Sequence, residues 1–268
     1  MSAEIALLSQ ILTLSSDENV RIDEFGHVVA SSPNLAAQVV KVANSALYGM
    51  EGKVTRLERA VLILGVRTVA AIASSVLVAN QARSIQIGSL SGDALWMHSL
   101  ETGACAELVA RSLHWPHEAE AYLAGLLHDL GAQELFQEHG AAYSELLETA
   151  RSAGRPLVER ERELCGEDHG QRMQSLAERW GFPPVLCAAF ACHHTPAEAD
   201  SAGQAVATLV HAAHILVEQP AEGWTDHTAD EETDAAFLES LGLDGDDIAD
   251  IRATLEEKLK ELASAFAG

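Results

Sequence analysis

The run "AGLLHDLGA" (124–132) ends an apolar stretch with a histidine and an aspartate side by side, His128 and Asp129. An imidazole next to a carboxylate inside a helical pattern either satisfies a buried polar pair or helps to hold a cation. The pair has company. His98 lies in "LWMHSLETG", His169 in "GEDHGQRM", His193 and His194 stand before "TP", and His211 and His214 share "LVHAAHIL". Imidazole and carboxylate are the usual ligands of divalent first-row metals, and a helical bundle builds such a site by aiming one or two side chains from several helices at a common interior point. His211 and His214 are three apart and share a helix face, as do His98 and Glu101. The same residues also suit a buried, hydrogen-bonded histidine cluster without metal, because such a network satisfies its own polar atoms. His27, His114, His117, His139 and His227 fall in no such pattern.

Bringing these side chains together requires several helices whose ends or faces meet. Apolar residues recur at three- and four-residue spacing along nearly the whole chain, with almost no sustained alternation, so the expected fold is all-α. Pro33 after Ser32 opens "NLAAQVVKVANSAL", which Gly49 is expected to end, and "TRLE" (55–58) has the form of a capping box. Pro116 is expected to start the helix that carries "LAGLLHDL" and Gly131 to stop it. Pro183–Pro184 starts "VLCAAFACHH", and Pro196 forbids its continuation. Two helices therefore end at their histidines.

The loop "ARSIQIGSLSGD" (82–93) is the expected seam between an N-terminal helical lobe, 1–90, and a helical core, 91–220. After Gln219–Pro220 the composition shifts: residues 221–268 hold 14 acidic and 3 basic residues, and "IADIRATLEEKLKELASAF" keeps a helical apolar stripe. A solvated pair of amphipathic helices packed on the body is expected there. The whole chain carries 17 basic and 40 acidic residues, a net charge of -23, which repels a phosphate backbone and excludes nucleic acid as a direct ligand. Four cysteines without CxxC spacing suit reduced thiols in a cytosol. No charged segment followed by an apolar run opens the chain, and "AVLILGVRTVAAIASSVLVA" (60–79) reads as two buried helices with a break rather than a membrane span. A cytoplasmic protein is expected.

The order "WMHSLETG", "LAGLLHDLG", "GEDHGQRMQSLAERWGFPPVLCAAFACHHTP", "LVHAAHIL" resembles the HD superfamily of metal-dependent phosphohydrolases. Upstream, "LAAQVVKVANSALYGMEGKVTRLERAVLILGVRTVAAIA" (35–73) is similar to the N-terminal part of HDOD domains, the HD-related output domains of bacterial signalling proteins. Together the likeness covers about residues 5 to 218. It implies an all-helical, two-lobed module of signal transduction that commonly lacks the hydrolase activity of its relatives. The superfamily's metal ligands fall on His98, His128, Asp129 and, in place of a final aspartate, His214; the extra ligands of dinuclear relatives fall on His169, His193 and His194.

Two departures bear on activity. His214 removes a carboxylate that would balance an ion, and Ala132 stands where active dinuclear relatives carry a lysine; their "GYP" motif is also absent. The expectation is a catalytically impaired signalling module acting through protein partners, possible homo-oligomers included, with a transition metal (iron, manganese, nickel or zinc) as its candidate cofactor. The alternative is a metal-dependent phosphohydrolase acting on nucleotides or cyclic dinucleotides, in which Asp129 would be catalytic.

Overall fold

The structure is a computed structural model that describes residues 3–17, 19–45, 48, 53–82, 86–87, 90–153, 155–201, 203–217 and 231–266. Gly49, His227, the expected boundary at 220 and two short pieces of the seam, 83–85 and 88–89, lie outside them. The described chain is all-α. Five helices come first: α1 (Ala3–Ser15), α2 (Ile22–Ala30), α3 (Pro33–Ala43), α4 (Leu57–Leu64) and α5 (Val66–Ala82). A minimal hairpin follows, β1 (Gln86–Ile87) against β2 (Leu90–Ser91), with Gln86 opposite Ser91. Then come α6 (Gly92–Ser112), α7 (Glu118–Leu127), α8 (Leu130–His139), α9 (Ala141–Ala153), α10 (Leu157–Cys165), α11 (His169–Arg179), α12 (Pro184–Cys192) and α13 (Gln204–Leu216). The acidic tail supplies α14 (Glu231–Ser240) and α15 (Gly245–Phe266).

Local signals explain most boundaries. Ser32 caps α3 by accepting from the Leu35 N–H, with Pro33 at the first helical position, and Ser91 caps α6 in the same way through the Ala94 N–H. Gly65, at φ 85°, breaks the long apolar run into α4 and α5, and no helix among the described residues is long and apolar enough to cross a membrane. Four expectations are corrected. Helix α3 ends at Ala43 with Asn44 as its C-cap, short of Gly49. The capping box at Thr55–Glu58 does not form, because extended Arg56 is the N-cap of α4 and leaves Thr55 outside the first turn. Pro116 precedes α7 by a turn, and His117 occupies its N-cap. Gly131 does not stop a helix; the chain turns at His128–Asp129 and α8 runs on through Gly131.

Helix α6 is buried on almost every side, packing on α7, α13, α15 and α5. One apolar cluster runs from Leu8 in α1 through α6, α7, α12 and α13 to Leu262 in α15, so the first five helices and the histidine-bearing helices share a core. The tail joins it through Ile251, Leu255 and Leu262, and its Lys258 pairs with Glu107 of α6. A second, smaller cluster beneath α8, α9 and α10 holds Leu95, Ala132, Leu135 and Tyr143.

Two glycine contacts set how closely the site-bearing helices approach. A Cβ on Gly125 would lie 2.8 Å from the Gly103 Cα, and one on Gly103 would lie 2.8 Å from the Tyr122 carbonyl oxygen, so α6 and α7 touch backbone to backbone. At Gly131 a Cβ would come within 2.0 Å of the His169 carbonyl oxygen, which makes this glycine the contact between α8 and the start of α11. A methyl group at position 103 has only backbone to push against. Gly103→Ala is therefore expected to cost about 1–3 kcal/mol in urea unfolding, as overpacking does; an unchanged midpoint would contradict the close α6–α7 approach.

Candidate metal centre

Helix ends place most of the chemistry. His128 follows the last residue of α7, and its Nδ1 lies 2.6 Å from the Gly125 carbonyl three residues back. His193 repeats the arrangement at the end of α12, with Nδ1 2.7 Å from the Phe190 carbonyl. In each case the ring donates Nδ1–H to a carbonyl of the last helical turn that has no partner further along the helix. In the neutral ring that bond leaves Nε2 as the lone pair. His169 opens α11 behind the Asp168 N-cap, whose capping box with Gln171 is complete and whose carboxylate is held by Arg162 at 2.6 Å. His98 comes from the middle of α6 and His214 from the last turn of α13.

These residues converge. His214 Nε2 lies 2.8 Å from His128 Nε2, His169 Nε2 lies 3.2 Å from His193 Nε2, and His194 Nε2 lies 3.0 Å from His169 Nε2. Asp129 sits between the two groups. Its Oδ2 is 2.9 Å from His128 Nε2 and 3.4 Å from His98 Nε2, while its Oδ1 is 3.5 Å from His169 Nε2. The ligand atoms of His98, His128 and His214 lie within 4.8 Å of one another, and so do those of His169, His193 and His194. His128, His169 and His193 have no exposed surface, Asp129 and His214 are 3% exposed and His98 6%; His194 alone of the seven is half-buried.

The donor set fits a divalent transition-metal ion. Nitrogens each about 2.0–2.1 Å from one ion sit roughly 3 Å apart, which is the spacing of these Nε2 atoms. Neither buried Asp129 oxygen meets a donor in hydrogen-bond geometry, although imidazole nitrogens surround them. A buried carboxylate left in that condition is costly, and a shared cation relieves it. Burial first, then the His194, His128, His169 and His214 rings, hold His193 well below its ordinary value of 6.5, in the neutral, ligating form.

All seven residues picked from the sequence, His98, His128, Asp129, His169, His193, His194 and His214, are in the cluster. Sequence reasoning missed Glu161 among their supports and placed His211 only as sharing a helix face with His214. Glu161 of α10 is completely buried and accepts from His169 Nδ1–H at 2.7 Å, from the His169 backbone N–H at 3.0 Å and from the Tyr143 hydroxyl. Burial and the neighbouring Glu161 push the Tyr143 hydroxyl well above its ordinary value and keep it a donor. His211 donates from Nδ1 to the His193 carbonyl at 2.9 Å and packs edge-on against Phe237 of α14. Glu161 was hidden in "ERERELC", where it looks like its solvated neighbours; its one signal was its place on the Leu157 face of the helix. Ala132 is completely buried in the second apolar cluster, so this position brings no cation to the centre.

Fold and site together define a helical bundle with a buried histidine–aspartate centre. Residues 5–196 match the HDOD domain family, and the chain belongs to that family. An uncharacterised protein of Treponema pallidum (strain Nichols) is 23% identical over 188 residues, 70% of this chain, and this chain spans only 36% of that relative's length. Among solved structures, an HDOD domain protein of unknown function from Geobacter sulfurreducens has a TM-score of 0.77 at 24% identity, covering 97% of this chain and 91% of the other. A provisionally named signal transduction protein from Marinobacter aquaeolei gives 0.74 at 24% identity, with 97% and 57% covered. A provisionally named phosphohydrolase from Shewanella amazonensis SB2B gives 0.70 at 19%, with 97% and 92% covered. These likenesses show a shared fold.

The depressed His193 carries a stability consequence. Below 6.5 the unfolded chain takes up a proton on this group that the folded chain refuses, so stability is lost as pH falls from 6.5 toward the folded value. Metal-free protein is expected to melt at a clearly lower temperature at about pH 5.5 than at about pH 7.5. Equal melting temperatures would refute the neutral, buried assignment.

Proposed function

We propose that the chain is a signal-transduction module that works through protein partners, and that its histidine–aspartate centre holds a divalent transition metal in a structural or sensing role instead of turning over phosphoesters. The burial of the centre carries this reading. Six of its seven side chains are at most 6% exposed, and a phosphoester would have to bring a phosphoryl oxygen to an ion held among them. Charge supports it further. The chain bears a net -23, which opposes the approach of an anionic substrate, and Ala132 and His214 supply neither the cation nor the second carboxylate of active relatives. Iron, manganese, nickel or zinc suits so nitrogen-rich a set better than magnesium or calcium, which take oxygen ligands. Signalling proteins of the cytoplasm, or a second copy of this chain, are the partners this reading calls for.

One observation favours a second reading, a metal-dependent phosphohydrolase acting on nucleotides or cyclic dinucleotides. Asp129 turns one oxygen to each triad, as a carboxylate shared between two ions does. A divalent ion there would act as a Lewis acid toward a phosphoryl oxygen. The two readings separate in an assay of protein loaded with manganese or iron against nucleotides and cyclic dinucleotides. The expected result is no turnover above that of Asp129→Ala. Turnover by the unmodified chain that is lost in Asp129→Ala and kept in the surface variant Glu256→Ala would make the enzyme the correct reading.

A further inference from the structure

A cleft of about 650 Å³ lies between α4–α5 and α15, over residues of α6 and α7, and no member of the histidine–aspartate centre lines it. Clefts that take ligands span about 300–1,000 Å³. Its apolar lining comes from Ile63 and Leu64 of α4, Leu108 of α6, Ala119 of α7 and Leu262 of α15. Solvent reaches part of this surface. Ile63 is 41% exposed and its neighbour Leu62 is 71% exposed, so two large apolar side chains stand in water side by side on α4. A single exposed leucine needs no explanation, whereas adjacent ones beside an apolar cleft mark a surface that something covers.

Charge selects what covers it. Arg111 reaches Glu107 at 2.7 Å and Glu118 at 2.9 Å, and Lys258 pairs with the same Glu107, so these two cations are spent on carboxylates of the cleft itself. Arg67, on the α5 side, faces Glu120 at 3.8 Å. On the α15 side, Glu257 and Glu261 also line the cleft; they are four residues apart, on one helix face, and neither has an ion-pair partner among the described residues. That wall offers two unneutralised carboxylates to a cation. A second copy of this chain would bring another net charge of -23 to the contact, which opposes self-association here.

We propose that this cleft docks a basic amphipathic helix of a partner protein, with its apolar stripe on Leu62, Ile63 and Leu64 and its lysines or arginines toward Glu257 and Glu261. A helix laid in a groove presents an apolar face and a charged face in this way, and the paired charges fix its orientation more than its affinity. The proposal rests on the reading that the chain works through protein partners and goes beyond it by naming the surface and the partner's charge.

The test uses the full chain and two short fluorescent peptides of equal charge, one of leucine and lysine with the leucines at helical spacing, the other with serine in place of leucine. The amphipathic peptide is expected to bind, read by anisotropy, and the serine peptide to bind at least about 10-fold more weakly. Leu62→Ser with Ile63→Ser is expected to weaken the amphipathic peptide about 10–100-fold, and Glu257→Gln with Glu261→Gln about 3–10-fold. Leu164→Ser on α10, an exposed apolar position that does not line the cleft, is expected to leave its affinity unchanged. Melting of each variant checks that it folds. No binding, equal binding of the two peptides, equal binding of a leucine–glutamate peptide of the same pattern, or unchanged affinity in either double variant would overturn the proposal. So would a dimer in sedimentation that Leu62→Ser with Ile63→Ser dissociates, because a second copy would then be the occupant. Each of these outcomes leaves the partner reading standing; turnover in the phosphoester assay removes that reading whatever the peptides do.

Discussion

The structure depends on holding six imidazole rings and a carboxylate against one another in a buried interior. Each ring must be fixed from behind to meet its neighbours at about 3 Å, and the chain uses a local device to do it. His128 and His193 each close an apolar helix and spend Nδ1–H on the carbonyl three residues earlier. One bond satisfies a helix-terminal carbonyl, sets the tautomer and aims Nε2 inward. His169 needs a different support because it stands at a helix start, where there are backbone donors and no carbonyls to satisfy. Buried Glu161 serves both its ring and its backbone N–H.

Close helix approach is the second requirement. Six rings and a carboxylate meet only if α6, α7, α8, α11, α12 and α13 come near enough for short side chains to reach. Gly103 against Gly125, and Gly131 against the His169 carbonyl, remove the side chains that would hold the helices apart. Gly125 does so while its carbonyl receives the His128 ring. The "AGLLHDLG" run thus carries two contact glycines, a helix-capping imidazole and the carboxylate that faces both triads.

The burial that stabilises such a centre also limits what it can do. A buried shell strengthens every electrostatic interaction inside it. A centre of this kind is well suited to fix helices relative to one another. His211, bonded to the His193 carbonyl and packed against Phe237, ties helix α14 of the acidic tail to the same turn.

Much was legible in the sequence because it was local. Helical periodicity, the Ser32 cap, the break at Gly65 and the prolines before α12 act within a turn or two of themselves, and the structure agrees at each. The resemblance of the motif order to the HD superfamily named the members of the centre, since residue type and order survive without coordinates. What needed the tertiary fold was everything set by contacts between distant segments. Gly131 read as a helix stop and is a contact between α8 and α11, which no neighbour in sequence could reveal. Glu161 read as one charge among many, and only packing of α9, α10 and α11 makes it a buried partner of His169. The pairing of rings across the centre was decided there too, because it depends on which nitrogen each backbone or carboxylate partner occupies. Periodicity determines that helices form; the three-dimensional arrangement alone decides which rings meet and which partner holds each of them.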